Sequence, residues 1–297
     1  MKILVLGATG FIGLPAAQAL VRAGHAVYGL ARTQAKAKVL AMEEIIPVIG
    51  DVDSDAWIAL ISTLDVIIEA VGGADLKTLS TTTFERVVRA VKELRPEGAP
   101  LLSYIYTSGT WVHGDSRTVV VTDTTPITST VELVAWRPAV EQLVVRNTVV
   151  NGIVIRPALL YGRSASILAK LFQSAAEGRV SWPGTPGGRY ATIHSDDLSD
   201  LYVRVAEKAS LIGGKIFDAA NPNTESVDDF LQRLVDVSGA KGPYEYTKPA
   251  NLFEEAIQST GLVRPYLANA LLGWSVKKPG LIEGLDNYYA AWLASST

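Results

Sequence analysis

The sequence predicts an α/β fold, a doubly wound parallel sheet followed by a smaller C-terminal α/β domain. Three observations predict it. Short apolar runs alternate with longer amphipathic ones through the first half, the pattern of parallel strands joined by right-handed helical crossovers. A glycine-rich turn follows the first apolar run and opens the first amphipathic one. The 297 residues are 48% hydrophobic and 19% charged, which gives a sizeable core and argues against a disordered chain.

Ile3 to Leu6 is rich in branched residues and stopped by Gly7, so it reads as a buried strand. Phe11 to Ala23 has helical spacing, and Gly24 ends it as a C-terminal cap. His25 to Leu30 reads as the second strand and Thr33 to Met42 as a helix. Ile45 to Ile49 is the third strand, and Asp53 to Thr63 a helix. Asp65 to Ala70 is the fourth strand, and Thr82 to Leu94 a helix. Leu101 to Thr107 is the fifth strand, Val131 to Asn147 a helix, and Gly152 to Ile155 the sixth strand. Ligands of such sheets bind beyond the carboxyl ends of the strands, where strand order reverses. Residues just after strands one to six therefore carry the most functional information.

After Pro157 the rhythm changes. Ser164 to Gly178 reads as a helix, and Trp182 to Gly188 is a turn-rich loop. Asp196 to Ala209 and Ser226 to Ser238 read as helices around a short strand at Lys215 to Asp218. Roughly the last 45 residues look helical, with Tyr288, Tyr289 and Trp292 as an aromatic stripe suited to core packing. The expected division is 1–156 and 157–297, with segments around 191–220 returning to the first domain.

Lys plus Arg is 27 against 30 for Asp plus Glu, a net charge of −3. That balance argues against nucleic-acid or anionic-membrane partners. With no cysteine, disulfides, thiolate zinc sites, iron–sulfur clusters and a cysteine nucleophile are excluded. His25, His113 and His194 have no paired spacing, so no metal site is expected. No run approaches the ~20 apolar residues of a membrane helix. Met1 to Leu6 runs straight into Gly7, without cleavage-site character, and no Asn-x-Ser/Thr acceptor occurs. A cytoplasmic protein with a small-molecule partner is the expectation.

Gly7-Ala8-Thr9-Gly10-Phe11-Ile12-Gly13 lies between the first strand and the first helix, with a second strand about 12 residues on. Gly7 permits the tight turn, Gly10 lets the backbone approach a pyrophosphate, and Gly13 lets helix pack on strand. The helix start offers unpaired N–H groups and a positive dipole end to phosphates. This is the Rossmann-type arrangement for a dinucleotide. An acidic residue at the end of strand two would favour NAD, but the chain has Leu30-Ala31-Arg32, and Arg32 suits a 2′-phosphate. NADP is therefore expected over NAD. Asp51 is placed to reach the adenine amino group, with Val52 flanking the ring; the alternative for Asp51 is a helix N-cap. Ala70-Val71-Gly72 is small and apolar where the ribose–phosphate span passes.

Together these residues resemble the extended short-chain dehydrogenase/reductases, the NAD-dependent epimerase/dehydratase family. The likeness covers nearly the whole chain. Gly7 to Gly13 resembles the family's glycine loop and Gly50-Asp51-Val52 its adenine-site motif. Tyr106 to Gly114 resembles the strand-five segment, and Arg156-Pro157-Ala158-Leu159-Leu160-Tyr161-Gly162 the segment beside the nicotinamide, which brings Pro157 and Leu159 to the cofactor. Ile193 to Leu198 resembles the segment that opens a late helix, and Phe217 to Asn221 also follows the pattern. The resemblance implies an NAD(P)-binding domain, a smaller C-terminal substrate domain and a homodimer.

The family uses a Tyr-x-x-x-Lys pair on the helix after strand five, followed four residues later by Glu. Taking Glu141 as that mark puts Arg137 at the lysine position and Leu133 at the tyrosine position. Arginine still donates to ribose hydroxyls, but leucine has no proton to give. A literal Tyr-x-x-x-Lys occurs at Tyr244 to Lys248, between prolines and far past the sheet domain, and reads as coincidence. Counted from the strand, Ser108 takes the catalytic hydroxyl position, and counted back from Gly114, Gly109 takes it; Ser108 is preferred, with Thr110 second and Thr107 beside the cofactor, and Thr107 and Ser108 alternatively only cap the strand. His113 and Tyr161 are substitute acids, each with a structural alternative. His194 reads as a structural tie. Trp111, Trp136, Trp182 and Tyr190 are candidates for lining an apolar substrate pocket, with plain packing as the alternative. The expected function is an NADP-dependent oxidoreductase-like enzyme moving a hydride to or from a small carbonyl, alcohol or activated alkene. An NADP-binding regulator or scaffold without catalysis is the alternative, and a nucleotide-sugar epimerase or dehydratase stands lower.

Overall fold

The computed structural model describes every residue except 74, 165, 166 and 297. Its centre is a seven-stranded sheet of β1 (Lys2–Leu6), β2 (Ala26–Ala31), β3 (Ile46–Ile49), β4 (Val66–Glu69), β5 (Ser103–Thr107), β6 (Asn151–Pro157) and β7 (Ile216–Ala219). The strand order is β7-β6-β5-β4-β1-β2-β3. The ladders from β3 through to β6 are parallel; Leu4 stands opposite Tyr28 and Ile67, and Tyr104 opposite Gly152. The order reverses between β1 and β4, so the switch point lies at the carboxyl ends of those two strands.

The helices that cover the sheet are α1 (Gly13–Arg22), α2 (Gln34–Met42), α3 (Leu76–Leu94), α4 (Arg137–Val145) and α5 (Ser195–Glu207). Ala16, Ala17 and Leu20 form the buried stripe of α1, and Gly24, at φ +84°, lets the chain leave it. Thr33 caps α2 by accepting from the Lys36 amide at 3.3 Å.

Three expected helices change shape. In place of a helix at 53–63 there is only the 3-10 turn Ile58–Ser62. Bonds from Trp57 and Arg86 to the Val52 and Ser54 carbonyls hold the preceding chain in a loop. The expected helix 131–147 divides into a 3-10 turn at Glu132–Val134 and α4, which starts at Arg137. Pro138 sits in the first turn, where its missing N–H costs nothing. α3 instead begins at Leu76, earlier than Thr82. Thr81 and Thr82 donate their hydroxyls to carbonyls four residues back, which lets a threonine-rich stretch stay helical.

The chain divides into two compact units. Unit 1 comprises 1–108, 136–156 and 198–217; unit 2 comprises 109–135, 157–197 and 218–297. Residues 109–135, expected with the first domain, group with unit 2 because Val120–Val121 pairs with Leu262–Val263 and Asp115 accepts from the Thr260 amide. The returning segment is also shorter than 191–220. Thr192–His194 pairs with Leu159–Tyr161, and the Asp218 amide bonds Asp123.

In unit 1, Leu4, Leu6, Ile67, Phe84, Tyr104, Tyr106, Val140 and Val154 form a core on one side of the sheet. In unit 2, Phe172, Tyr288, Tyr289 and Trp292 belong to an aromatic core, with Tyr289 and Trp292 stacked at 5.7 Å. The expected helix at 164–178 is realised as Ala169–Ala176; residues 165 and 166 lie outside the described residues. The C-terminal stretch is not helical throughout. Helices Leu252–Gln258, Leu267–Leu272 and Leu285–Ser295 are separated by the short strand Leu262–Val263 and by a loop containing Pro279. Among the described residues, no helix is long and apolar enough to cross a membrane.

Candidate functional site

In unit 1 the chain leaves β1 at Gly7 with φ +84°. A Cβ at Gly7 would lie 2.3 Å from the Ala70 carbonyl oxygen, and one at Gly13 would lie 2.2 Å from the Gly7 carbonyl oxygen. Neither position admits a side chain. The Gly10 amide donates to Gly7 O at 2.9 Å and closes the turn, while Gly10 itself is exposed. Ile12 precedes α1 without a side-chain cap, and the first turn of α1 holds no acidic residue. Thr9, Phe11 and Ile12 are half-buried around it. The donor set is bare amides with no competing carboxylate, which fits a diphosphate.

Arg32 is exposed just beyond β2 and has no hydrogen-bond or ion-pair partner among the described residues. Asp51 is also exposed; its Oδ1 accepts from the Val52 amide at 2.7 Å. Val52 is buried and belongs to the core cluster that includes Leu30 and Trp57. Ala70 and Val71 continue from β4, and Gly72 is exposed, with open space where a Cβ would stand.

At the end of β5, Thr107 Oγ1 and Tyr202 OH share a 2.7 Å hydrogen bond. The Ser108 amide donates to Ile155 O at 2.8 Å. Its hydroxyl is buried and has no partner among the described residues. Arg137, at the start of α4, donates to Thr107 O at 3.0 Å and to Tyr106 OH at 3.2 Å. Its guanidinium lies 4.8 Å from the centre of the Trp136 ring. Leu133 lies in the preceding 3-10 turn, outside α4.

Sequence reasoning missed Glu69, the last residue of β4. It is buried, and burial pushes its carboxyl up to about 7, against bonds from Tyr104 and Ser80 that lower it. Tyr106 is pushed up to about 12, again chiefly by burial. The available signal was a glutamate directly after Val66-Ile67-Ile68, since a fully buried carboxyl needs partners.

In unit 2, Trp111, Leu159 and Tyr190 line one narrow cleft with Ala191 and Ile257, and none of its lining residues is charged. Trp182 Nε1 donates to Tyr190 OH at 2.8 Å, and Tyr190 OH donates to Ile257 O at 2.7 Å. Pro157 is buried. His113 Nε2 and Asp218 Oδ2 are 2.8 Å apart, with both side chains almost wholly buried.

Tyr161 is a correction. Its hydroxyl donates to Pro279 O at 2.8 Å and accepts from Asn221 Nδ2 at 3.1 Å, and its ring packs on Tyr288. Burial raises the phenol above its usual value, so it has neither the access nor the acidity of a proton donor. His194 accepts from the Asp196 amide at 3.0 Å. Tyr244 and Lys248 flank the strand Glu245–Thr247, and the Tyr244 hydroxyl donates to Asp228.

A model of the NAD dependent epimerase/dehydratase family matches residues 3–220. No curated protein matches the chain. Among solved structures, UDP-glucuronic acid 4-epimerase from Bacillus cereus, with UDP-glucuronic acid and NAD, is 20% identical. It superposes with a TM-score of 0.78 over 99% of this chain and 100% of that one. dTDP-glucose 4,6-dehydratase from Bacillus anthracis, with NAD, is 14% identical, with a TM-score of 0.80 over 99% and 97%. The human epimerase family protein SDR39U1, with NADPH, is 17% identical, with a TM-score of 0.75 over 98% and 99%. These likenesses establish the fold.

Proposed function

The chain belongs to the NAD dependent epimerase/dehydratase family, and from that premise we propose that it is an NADP-dependent oxidoreductase-like enzyme acting on a small carbonyl or alcohol. One observation carries the reading. The Ser108 hydroxyl is buried without a partner at the carboxyl end of β5, where ligands of such sheets bind. A buried hydroxyl left unpaired is costly unless a ligand completes it.

When bound, the dinucleotide supplies hydride transfer at its nicotinamide ring. The chain's residues bind and orient. The Gly7 to Gly13 turn and the first amides of α1 hold the diphosphate. Arg32 pairs with the 2′-phosphate, Asp51 takes the adenine amino group, and Arg137 donates to the ribose. Ser108 donates its hydroxyl to the substrate oxygen. Leu133 offers no proton, so water supplies it.

Two other readings have specific support. The Bacillus cereus epimerase and the Bacillus anthracis dehydratase carry names for nucleotide-sugar reactions. Those reactions lean on the family tyrosine, where this chain has Leu133. A cofactor-binding protein without catalysis is favoured by Leu133 and Arg137, which stand where the family has its tyrosine and lysine, beside an intact glycine turn.

The test is NADPH consumption by the purified protein against a panel of small aldehydes and ketones, with UDP-glucuronic acid and dTDP-glucose assayed separately for epimerised or dehydrated product. Turnover of a carbonyl, slowed in Ser108→Ala, supports the oxidoreductase. Product from either sugar nucleotide without net NADPH loss replaces it with the sugar-nucleotide reading. A melting-point rise with NADPH and no turnover leaves the silent binder. No response to NADPH or NADH removes the cofactor reading altogether.

A further inference from the structure

Within unit 1, only one side of α2 meets the core. Ala37 and Leu40 are its buried residues, and Leu40 lies over Gly29 of β2, where an added Cβ would stand 2.8 Å from the leucine Cδ1. Ala35, Val39 and Met42 recur at i, i+4 and i+7, which places them in one stripe on the opposite side. All three are exposed, Val39 by 42% and Met42 by 83%. The outward side of a surface helix is ordinarily polar. α3 follows that rule, with Lys77, Glu85, Arg89 and Lys92 exposed. α2 does not.

The charges of α2 are also set against its own backbone. Lys36 is in the first turn and Glu43 is the C-cap, while the first turn holds no acid and the last no base. Each charge therefore opposes the helix macrodipole. Neither side chain has a hydrogen-bond or ion-pair partner among the described residues. The two are seven residues apart, about two turns, so they flank the apolar stripe on the same side.

Beside an antiparallel copy of itself, this pattern is self-complementary. A two-fold axis at Val39 sets that residue against its twin and the small Ala35 against the partner's Met42. The same axis keeps each flank on its own side, so Lys36 meets the partner's Glu43 at both ends. Both macrodipole conflicts are relieved by an opposite charge. Lys38, on the other flank, approaches its own twin near the axis and opposes the pairing. Such a contact is isologous and closes at two copies.

We propose that the outward face of α2 is the surface through which two copies of this chain pair, antiparallel about Val39. The nine residues of α2 span only about 13 Å, so the contact is small and the dimer reversible. The pairing is independent of the dinucleotide reading and is tested without cofactor.

Sedimentation equilibrium is run from about 1 to about 500 µM, beside NMR of protein carrying ¹³C at the methionine methyls. Met42 is one of two methionines, and Met42→Leu assigns its signal. The variants are Met42→Glu, Lys36→Glu, Glu43→Lys and the double exchange Lys36→Glu, Glu43→Lys. All three positions are exposed, so the fold tolerates them, and circular dichroism checks it. The expected result is a concentration-dependent dimer, with the Met42 methyl signal moving along the same curve. Met42→Glu abolishes it. Each single reversal weakens it about tenfold, since two like-charge contacts replace two opposite ones, and the double exchange recovers most of the loss. A monomer throughout overturns the proposal and leaves the stripe to a different partner. A dimer indifferent to Met42→Glu lies on another surface and overturns it too. A double exchange no tighter than the single reversals overturns the antiparallel arrangement.

Discussion

Glu141 and Arg156 form a two-point ion pair inside unit 1, Nε to Oε1 at 2.9 Å and Nη2 to Oε2 at 2.6 Å, with both side chains almost completely buried. The pair pins α4 to β6. Arg137 lies four residues before Glu141, on the same face of the helix, and reaches the Thr107 carbonyl. The glutamate that serves as a register mark in the sequence is thus the clamp that sets where the guanidinium stands.

Removing one partner of such a pair strands the other charge in the core, at a cost of about 3–5 kcal/mol. Glu141→Ala should lower the unfolding free energy in urea by that amount. A Glu141→Leu, Arg156→Met double variant should recover most of it, because the desolvation penalty disappears with both charges. A single-variant loss below about 1 kcal/mol would show that the pair does not hold α4 in place.

Ser108→Ala should separate stability from function. The hydroxyl has no partner to lose, so the melting temperature should stay constant or rise slightly. Any carbonyl turnover should fall by about a hundredfold, the usual effect of losing a donor to a reacting oxygen. Differential scanning calorimetry beside the NADPH assay checks both. A marked drop in melting temperature would reveal a structural role instead.

The six strands of the first half were legible because parallel strands, covered on both faces, are written as continuous apolar runs. The glycine turn was legible because Gly7 and Gly13 tolerate no Cβ. What escaped depends on distant partners. Glu69 meets Tyr104 from 35 residues away, and Tyr161 spends its hydroxyl on Pro279 from 118 residues away. The threonines that open α3 lower its helical signal locally, and their bonds to preceding carbonyls become visible only once the helix is formed. Apolar spacing likewise ran 131–135 and α4 together, since a 3-10 turn and an α-helix bury residues at similar intervals.

Arg32 should set cofactor choice. It is exposed and uncommitted, so replacing it disturbs no internal bond. Arg32→Ser should weaken NADPH by roughly 10- to 100-fold, the worth of about 1.5–3 kcal/mol for a charged hydrogen bond, and leave NADH nearly unchanged. Paired fluorescence titrations measure the ratio. Equal losses for both cofactors would assign Arg32 to something other than the 2′-phosphate.

Glu69 should leave a signature on the stability of the fold. Burial raises its carboxyl from the usual 4.5 to about 7, so between these values the native state keeps a proton that the unfolded chain has released. Stability from this group is therefore complete below about pH 4.5, declines as pH rises, and levels off above about 7. The loss amounts to about 3 kcal/mol. Buried His194 works the other way: burial lowers its affinity for a proton, so its contribution grows as pH rises. The net curve mixes the two, but the difference between wild type and Glu69→Gln cancels His194. Urea titrations at pH 5, 6, 7 and 8 should show glutamine gaining on wild type with each step up to about 7 and holding that gain beyond. A difference that stays constant across the series would mean that the Glu69 carboxyl titrates as it does in water.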